Sequence, residues 1–183
     1  MQEELVRLAK QGDAEAFDAL ARMVGDRCLA IAVRILRDLD LAEDAVQAAL
    51  VTAWTELRSL RDPSRFEPWL HRILTNACYA EARRRRTWTT NVRVLPVDGP
   101  AGPDELITVA DRDALDRAFR RLTVEQRAVF VLHHHVGLPL VEIAVTLGVP
   151  AGTARSRLHY ATRALRAAID ADAAPVVPMG RMA

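Results

Sequence analysis

The stretch LPLVEIAVTLGVPAGTARSRLHYATRALR, Leu138 to Arg166, constrains this chain most, because it encodes two short helices joined by a tight turn. In the first, Leu140, Ile143, Ala144 and Leu147 recur at helical spacing, and Pro139 suits a first helical turn, where its missing N–H is no loss. Gly148 can take the positive φ that ends this helix, and Pro150 prevents it from resuming. The second helix, from about Ala151, keeps Ala154, Leu158, Ala161, Leu165 and Ala168 on one side, while Arg155, Ser156, His159, Tyr160 and Arg163 project elsewhere. The first set can pack into a domain and leave the second to meet phosphates and base edges in a major groove. Arginine serves both contacts, because its planar fork pairs bidentately with guanine or with phosphate. A helical hairpin with a solvated basic face shares each feature singly. Apolar spacing, a glycine turn and an acid-free arginine series in one window predict a helix-turn-helix.

The remainder of the chain also reads as helix. Half of its 183 residues are apolar, only 5% are aromatic, and alanine, leucine and arginine dominate, which favours an all-α protein. A net charge of +1 hides strong segregation. Residues 1–70 carry 9 basic and 13 acidic side chains, residues 71–93 carry 6 and 1, and residues 111–170 carry 9 and 6. Two separate basic blocks predict two contacts with one polyanion.

Residues 1–86 read as one helical domain. Gly12-Asp13 opens a long helix in which Phe17, Leu20, Val24, Cys28, Ile31 and Ile35 recur at helical spacing. Asp40, with Glu43 three residues on, is expected to open the next, with Val46, Leu50, Ala53, Leu57 and Leu60 as its core stripe. Asp44, Gln47, Val51 and Thr55 share the opposite side, a face suited to docking a large partner. In the loop SLRDPSR, Ser59 to Arg65, Ser64 with Glu67 is expected to cap the following helix. That helix turns Phe66, Leu70, Ile73, Leu74 and Ala77 inward and sets Arg72, Asn76, Tyr79 and Arg83 on another face. It ends in Arg83-Arg84-Arg85-Arg86, followed by Trp88. Two readings fit this end equally: a surface that tracks a nucleic-acid strand, or a solvated arginine run favoured by the helix dipole.

Residues 87–110 lose helical periodicity around Pro96, Gly99, Pro100, Gly102 and Pro103 and read as a flexible linker. Residues 111–170 form a second small domain, with one helix near Asp111 and another opened by Thr123, before the helix-turn-helix. Residues 171–183, with Pro175 and Pro178, read as a disordered tail. The N-terminus lacks the apolar core of a signal peptide and no run of about eighteen apolar residues occurs, so a cytoplasmic protein with no membrane insertion is expected. Cys28 and Cys78 have no metal-like spacing and read as buried reduced thiols. His133, His134 and His135 are consecutive, so on a helix they point about 100° apart and cannot all face one ion. Lys10, the only lysine, follows no glycine-rich loop, and no HExxH, GxSxG or paired-cysteine motif occurs. Neither a metal, a cofactor nor an enzymatic activity is expected.

With both domains placed, residues 12–170 resemble an extracytoplasmic-function RNA polymerase sigma factor. GDAEAFDAL, Gly12 to Leu20, looks like the family's entry into its first conserved region, and DLDLAEDAVQAALVTAW, Asp38 to Trp54, is similar to its polymerase-binding segment. FEPWLHRILTNACYAEARRRR, Phe66 to Arg86, looks like the segment that recognises and opens the −10 element, and Leu122 to Arg166 is similar to the −35-reading domain. The resemblance implies that Asp44, Gln47 and Val51 dock on core RNA polymerase. It implies that Arg61, Ser64, Arg72, Asn76, Tyr79, Arg83 and Arg84 hold the single-stranded −10 element. Thr153, Arg155, Ser156, Arg157, His159 and Arg163 are then left to meet the −35 duplex. It also implies an anti-sigma factor as a partner. Ala48 departs from the acid that usually follows the glutamine, and Ala154 from the usual valine. The alternative is a free-standing helix-turn-helix regulator, which would bind specific duplex without polymerase. An adaptor with merely solvated basic faces would instead be insensitive to salt.

Overall fold

Eight α-helices and two single 3₁₀ turns, with no strand, make up the residues that the computed structural model describes, 1–91 and 109–172. In chain order they are α1 (Gln2–Lys10), α2 (Ala14–Leu36), α3 (Leu39–Glu56), α4 (Phe66–Asn91), α5 (Val109–Arg121), α6 (Val124–His134), α7 (Leu140–Leu147) and α8 (Ala151–Asp172). The all-α expectation holds across both halves. Helix α1 carries no expectation from the sequence; it lays the buried Val6 and Ala9 against the first domain.

Short polar side chains set the helix starts. Asp13 accepts a hydrogen bond from the Ala16 N–H at 3.0 Å and so satisfies one of the free donors of α2. The cap of α3 is Asp38, which accepts from the Leu41 N–H at 3.1 Å, and not Asp40 as the sequence led us to expect. Asp38 has the extended backbone a cap needs, whereas Asp40 already lies in the first helical turn. Before α4 the cap is likewise Asp62 rather than Ser64. Its carboxylate accepts from both the N–H (3.0 Å) and the hydroxyl (2.8 Å) of Ser64. Glu67, released from capping, takes the Arg27 guanidinium at 2.5 Å.

The core face of α3 differs in part from expectation: Ala53, Leu57 and Leu60 are buried as expected, but Val46 and Leu50 are not at its centre. Ala42, Ala45, Ala49 and Ala53 are at most 1% exposed, while the larger Val46 and Leu50 are only half-buried. Helix α3 packs between α2 and α4, and alanines let both neighbours approach where a leucine stripe would hold them apart. Larger residues fill the flanks of this sandwich: Leu20, Ile35, Leu57 and Leu74 are buried to 1% exposure or less. Helix α4 runs five residues beyond Arg86, because nothing between Thr87 and Asn91 is proline or glycine and the first break is Pro96. Residues 92–108 of the expected linker lie outside the described residues. At the other end α8 includes Ala171 and Asp172, and residues 173–183 of the expected tail are outside the described residues.

The second half follows its sequence closely. Thr123 and Gln126 form a reciprocal capping box at the start of α6. Gly148 closes α7 at φ 63°, with the Val149 N–H donating to the Ala144 carbonyl at 3.0 Å. Val129, Leu132 and Ile143 form one core under this turn, with Leu158 against it, while Ala118, Leu122, Ala161 and Leu165 form another between α5 and α8. The halves are also in contact. Ala128 and Val131 of α6 belong to the same apolar cluster as the interior of α2–α4.

Cys28 and Cys78 are buried free thiols, and burial pushes them up to about 11 and about 12. Thiolate is the reacting species, so an alkylating agent at mildly alkaline pH should modify neither cysteine in the folded chain and both in urea, read by intact mass. Leu74→Ala should cost about 2–5 kcal/mol in urea unfolding. Asp38→Ala, which removes only a cap and the ion pair to Arg85, should cost about 1 kcal/mol.

Candidate nucleic-acid interface

Helix α8 owes its orientation to three small or apolar anchors. Ala154 and Ala161 are fully buried and Leu165 is 6% exposed. With that face inward, Arg155, Ser156, His159 and Arg163 are exposed and Tyr160 stands 57% open. Thr153 is half-buried at the helix start, where its carbonyl accepts from the Ser156 hydroxyl at 3.0 Å. No acid occurs between Ala151 and Arg166, so the outward face is purely cationic and polar. Arg157 differs from its neighbours: it is half-buried, and its charge acts on Tyr79 of α4.

On α4, Arg72, Asn76 and Arg83 are exposed, as are Arg61 and Ser64 in the preceding loop. Tyr79 is half-buried, with its hydroxyl enclosed and without a hydrogen bond. Burial pushes it up to about 12; the Arg157 charge lowers it and Glu125 raises it, so charges of the second half act on this ring. The arginine run is partly engaged within the chain. Arg84 pairs with Asp44 at 3.1 Å and Glu81 at 2.8 Å, and Arg85 pairs with Asp38. The Arg84–Asp44 pair is exposed and contributes about 0–1 kcal/mol, so a phosphate can replace that carboxylate at little cost, whereas Glu81 is buried at 8% exposure.

Helix α3 presents Asp44, Gln47, Val51 and Thr55 outward, with Val51 60% exposed and Ala48 beside it. The structure adds what the sequence did not show: an apolar groove of Ala14, Phe17, Leu50, Val51 and Trp54. The Phe17 and Trp54 rings meet at a tilt of 52° with centroids 4.9 Å apart. Trp54, three residues after Val51, was legible from helical spacing; Phe17 arrives from α2 and only the packing of α2 on α3 brings it there. The Asp44–Arg84 pair links this face to the candidate strand-binding helix.

The histidine run serves the α6–α7 corner. His133 Nδ1 lies 3.0 Å from the Leu138 carbonyl, and the His134 ring packs on Phe130 at 4.4 Å. Among the described residues no three metal-ligating side chains converge, and no helix is long and apolar enough to cross a membrane.

Two family models match this chain: Sigma-70 region 2 over residues 20–89 and Sigma-70, region 4 over residues 112–165. The ECF RNA polymerase sigma factor SigL of Mycobacterium tuberculosis is 35% identical over 85% of this chain and 92% of that protein. SigW of Bacillus subtilis, also an ECF RNA polymerase sigma factor, is 26% identical over 88% of this chain and 92% of its own length. Among solved structures, the sigma factor RpoE in complex with the anti-sigma factor NepR from Bartonella quintana matches with a TM-score of 0.70 at 25% identity, over 87% of this chain and 99% of that one. CnrH in complex with the cytosolic domain of CnrY matches with a TM-score of 0.65 at 26% identity, over 94% and 99%. An apolar-anchored helix-turn-helix with a cationic reading face, an arginine-rich helix and an outward polar-apolar face on α3 thus stand in one chain with both sigma-70 regions, and the chain belongs to the ECF RNA polymerase sigma factors, non-enzymatic initiation factors that direct RNA polymerase to promoters.

Proposed function

We propose that three faces of this sigma factor divide the work of initiation. Residues 1–86 bind core RNA polymerase and the −10 element, residues 111–170 read the −35 element, and the segment between them spans the polymerase. The observation that carries the reading is α8, whose buried Ala154, Ala161 and Leu165 leave an acid-free outward face. In B-DNA such a helix enters the major groove, so Arg155, Ser156 and His159 reach base edges while Thr153 and Arg163 meet phosphates. Arg157 joins them once it is turned to solvent.

The −10 strand lies along α4 and its loop. Arg61, Arg72, Arg83 and Arg84 supply charge, Ser64 and Asn76 supply hydrogen bonds, and Tyr79 supplies a ring for stacking. A base flipped from the duplex costs a few kcal/mol of unstacking, which contacts of this kind offset. Polymerase docks over Asp44, Gln47 and Val51. The apolar groove of Phe17 and Trp54 beside Val51 supports an occupant with an apolar side chain at its centre. Since RNA polymerase and promoter are intracellular, the chain works in the cytoplasm. An anti-sigma factor covers the same faces, a reading supported by the likeness to the sigma factor RpoE in complex with the anti-sigma factor NepR.

Abortive transcription by core polymerase on a randomised promoter library tests the whole reading. Promoter-dependent product only on addition of the chain is expected; no product, with tight specific duplex binding by the chain alone, would mark a free-standing regulator instead. On the promoter so selected, Arg155→Ala should lower −35-dependent initiation by about 10- to 100-fold, the weight of about 1–3 kcal/mol for one base-reading arginine. Val51→Asp should weaken capture by core polymerase about tenfold or more, measured by pull-down or anisotropy, with unfolding little changed because Val51 is 60% exposed.

A further inference from the structure

The joint between the two halves is built on helix ends. The last carbonyls of a helix have no partner of their own, and α2 finishes on Arg37, a non-glycine residue at φ 61°. The Arg37 N–H takes the Val33 carbonyl at 2.8 Å. The Ile35 carbonyl is taken from the other half of the protein: Arg127 of α6 donates to it through Nε at 2.5 Å. The same guanidinium donates through Nη1 to the Leu122 carbonyl just beyond α5, at 2.7 Å. One half-buried cation therefore bridges the negative ends of two helices that are 92 and 5 residues away in sequence.

Arg37 completes the joint. Its guanidinium pairs with Asp116 of α5 and sits 5.8 Å from the centre of the Phe119 ring. Around these contacts, Ala128 and Val131 of α6 join the apolar interior of α2–α4, and Phe119, Val124 and Val136 pack on it. Helices α6 and α7 both lie against α4. Tyr79 and Arg157 are both half-buried in this arrangement, the Tyr79 hydroxyl is enclosed, and the Arg157 charge acts on it, so one residue from each DNA-facing set is partly withdrawn from solvent.

We propose that Arg127 and Arg37 form a latch that holds region 4 on region 2 in the free chain and withholds Tyr79 and Arg157 from DNA until it opens. The proposal rests on the DNA-facing roles given above for those two residues. It deepens that reading by placing a regulatory step within the chain itself, with no second protein required. Binding to a conformation that is only fractionally populated weakens the apparent affinity by that fraction, so releasing the latch raises affinity without any new contact.

The test uses the full chain with donor and acceptor dyes on Met23→Cys and Ile169→Cys, which replace residues 40% and 45% exposed; the native thiols are buried. Into this background go Arg37→Gly, which suits the positive φ and removes the Asp116 pair, and Arg127→Ala. Helicity by circular dichroism shows that each variant is folded. Both variants should lower energy transfer and enlarge the radius of gyration in X-ray scattering. They should bind the −35 duplex selected from the promoter library more tightly, by about 10-fold or more for the double variant. Loss of a cation would by itself weaken DNA binding, so a gain runs against the simple charge effect. Unchanged energy transfer in folded variants would overturn the latch, and opening without a gain in duplex affinity would overturn the masking. Failure of the parent chain to support promoter-dependent transcription would overturn the function reading alone, because energy transfer reports the joint without DNA.

Discussion

The packing of α3 between α2 and α4 is the contact on which the rest depends. Ala42, Ala45, Ala49 and Ala53 bring three helices close enough for the leucines and isoleucines at the flanks to close the core. Because the face toward the interior is made of small residues, the larger and polar ones are turned the other way. Asp44, Gln47, Val51 and Trp54 become a surface as a direct result. The same closeness lets Arg84 reach Asp44 and Arg85 reach Asp38, so the candidate polymerase face and the arginine-rich helix are tied together by charge. Such pairs are weak in water and easily exchanged, which suits the contact with a polyanion proposed for this helix.

Region 4 solves a different problem. A reading helix must be rigid yet expose most of its length, and α8 does this with a narrow buried line of alanine and leucine supported by α5, α6 and α7. Gly148 sets the angle at which it leaves the turn. The joint to region 2 then adds a second use for arginine. On α8 the guanidinium groups look outward, whereas Arg127 and Arg37 are drawn inward, where burial lowers their pKa and helix-end carbonyls and one carboxylate supply their partners.

Much of this was legible before any coordinates. The helix-turn-helix, the Thr123 cap, the Asp13 start of α2 and the outward set of α8 all rest on local rules: periodicity, capping and the positive φ of glycine. The errors were equally physical. Asp40 and Ser64 have the right chemistry for caps, yet Asp38 and Asp62 stand at the residues where the backbone is extended. The expected core stripe of α3 held at Ala53, Leu57 and Leu60, but the neighbours' approach selected Ala42, Ala45 and Ala49 over Val46 and Leu50. Helix α4 outran its expected end because an arginine run does not stop a helix; only a backbone breaker does.

By itself the sequence determined the elements, their amphipathic faces and the two basic blocks, since each is settled within a few turns of chain. It determined the family as well, through motifs in series. Tertiary structure alone decided which residues meet across long separations: Phe17 with Trp54, Arg84 with Asp44, Arg127 with Ile35 and Arg37 with Asp116. No periodicity encodes these contacts. They arise when helix ends with unpaired carbonyls and faces with surplus apolar area find partners, and that choice is made only once the helices are packed together.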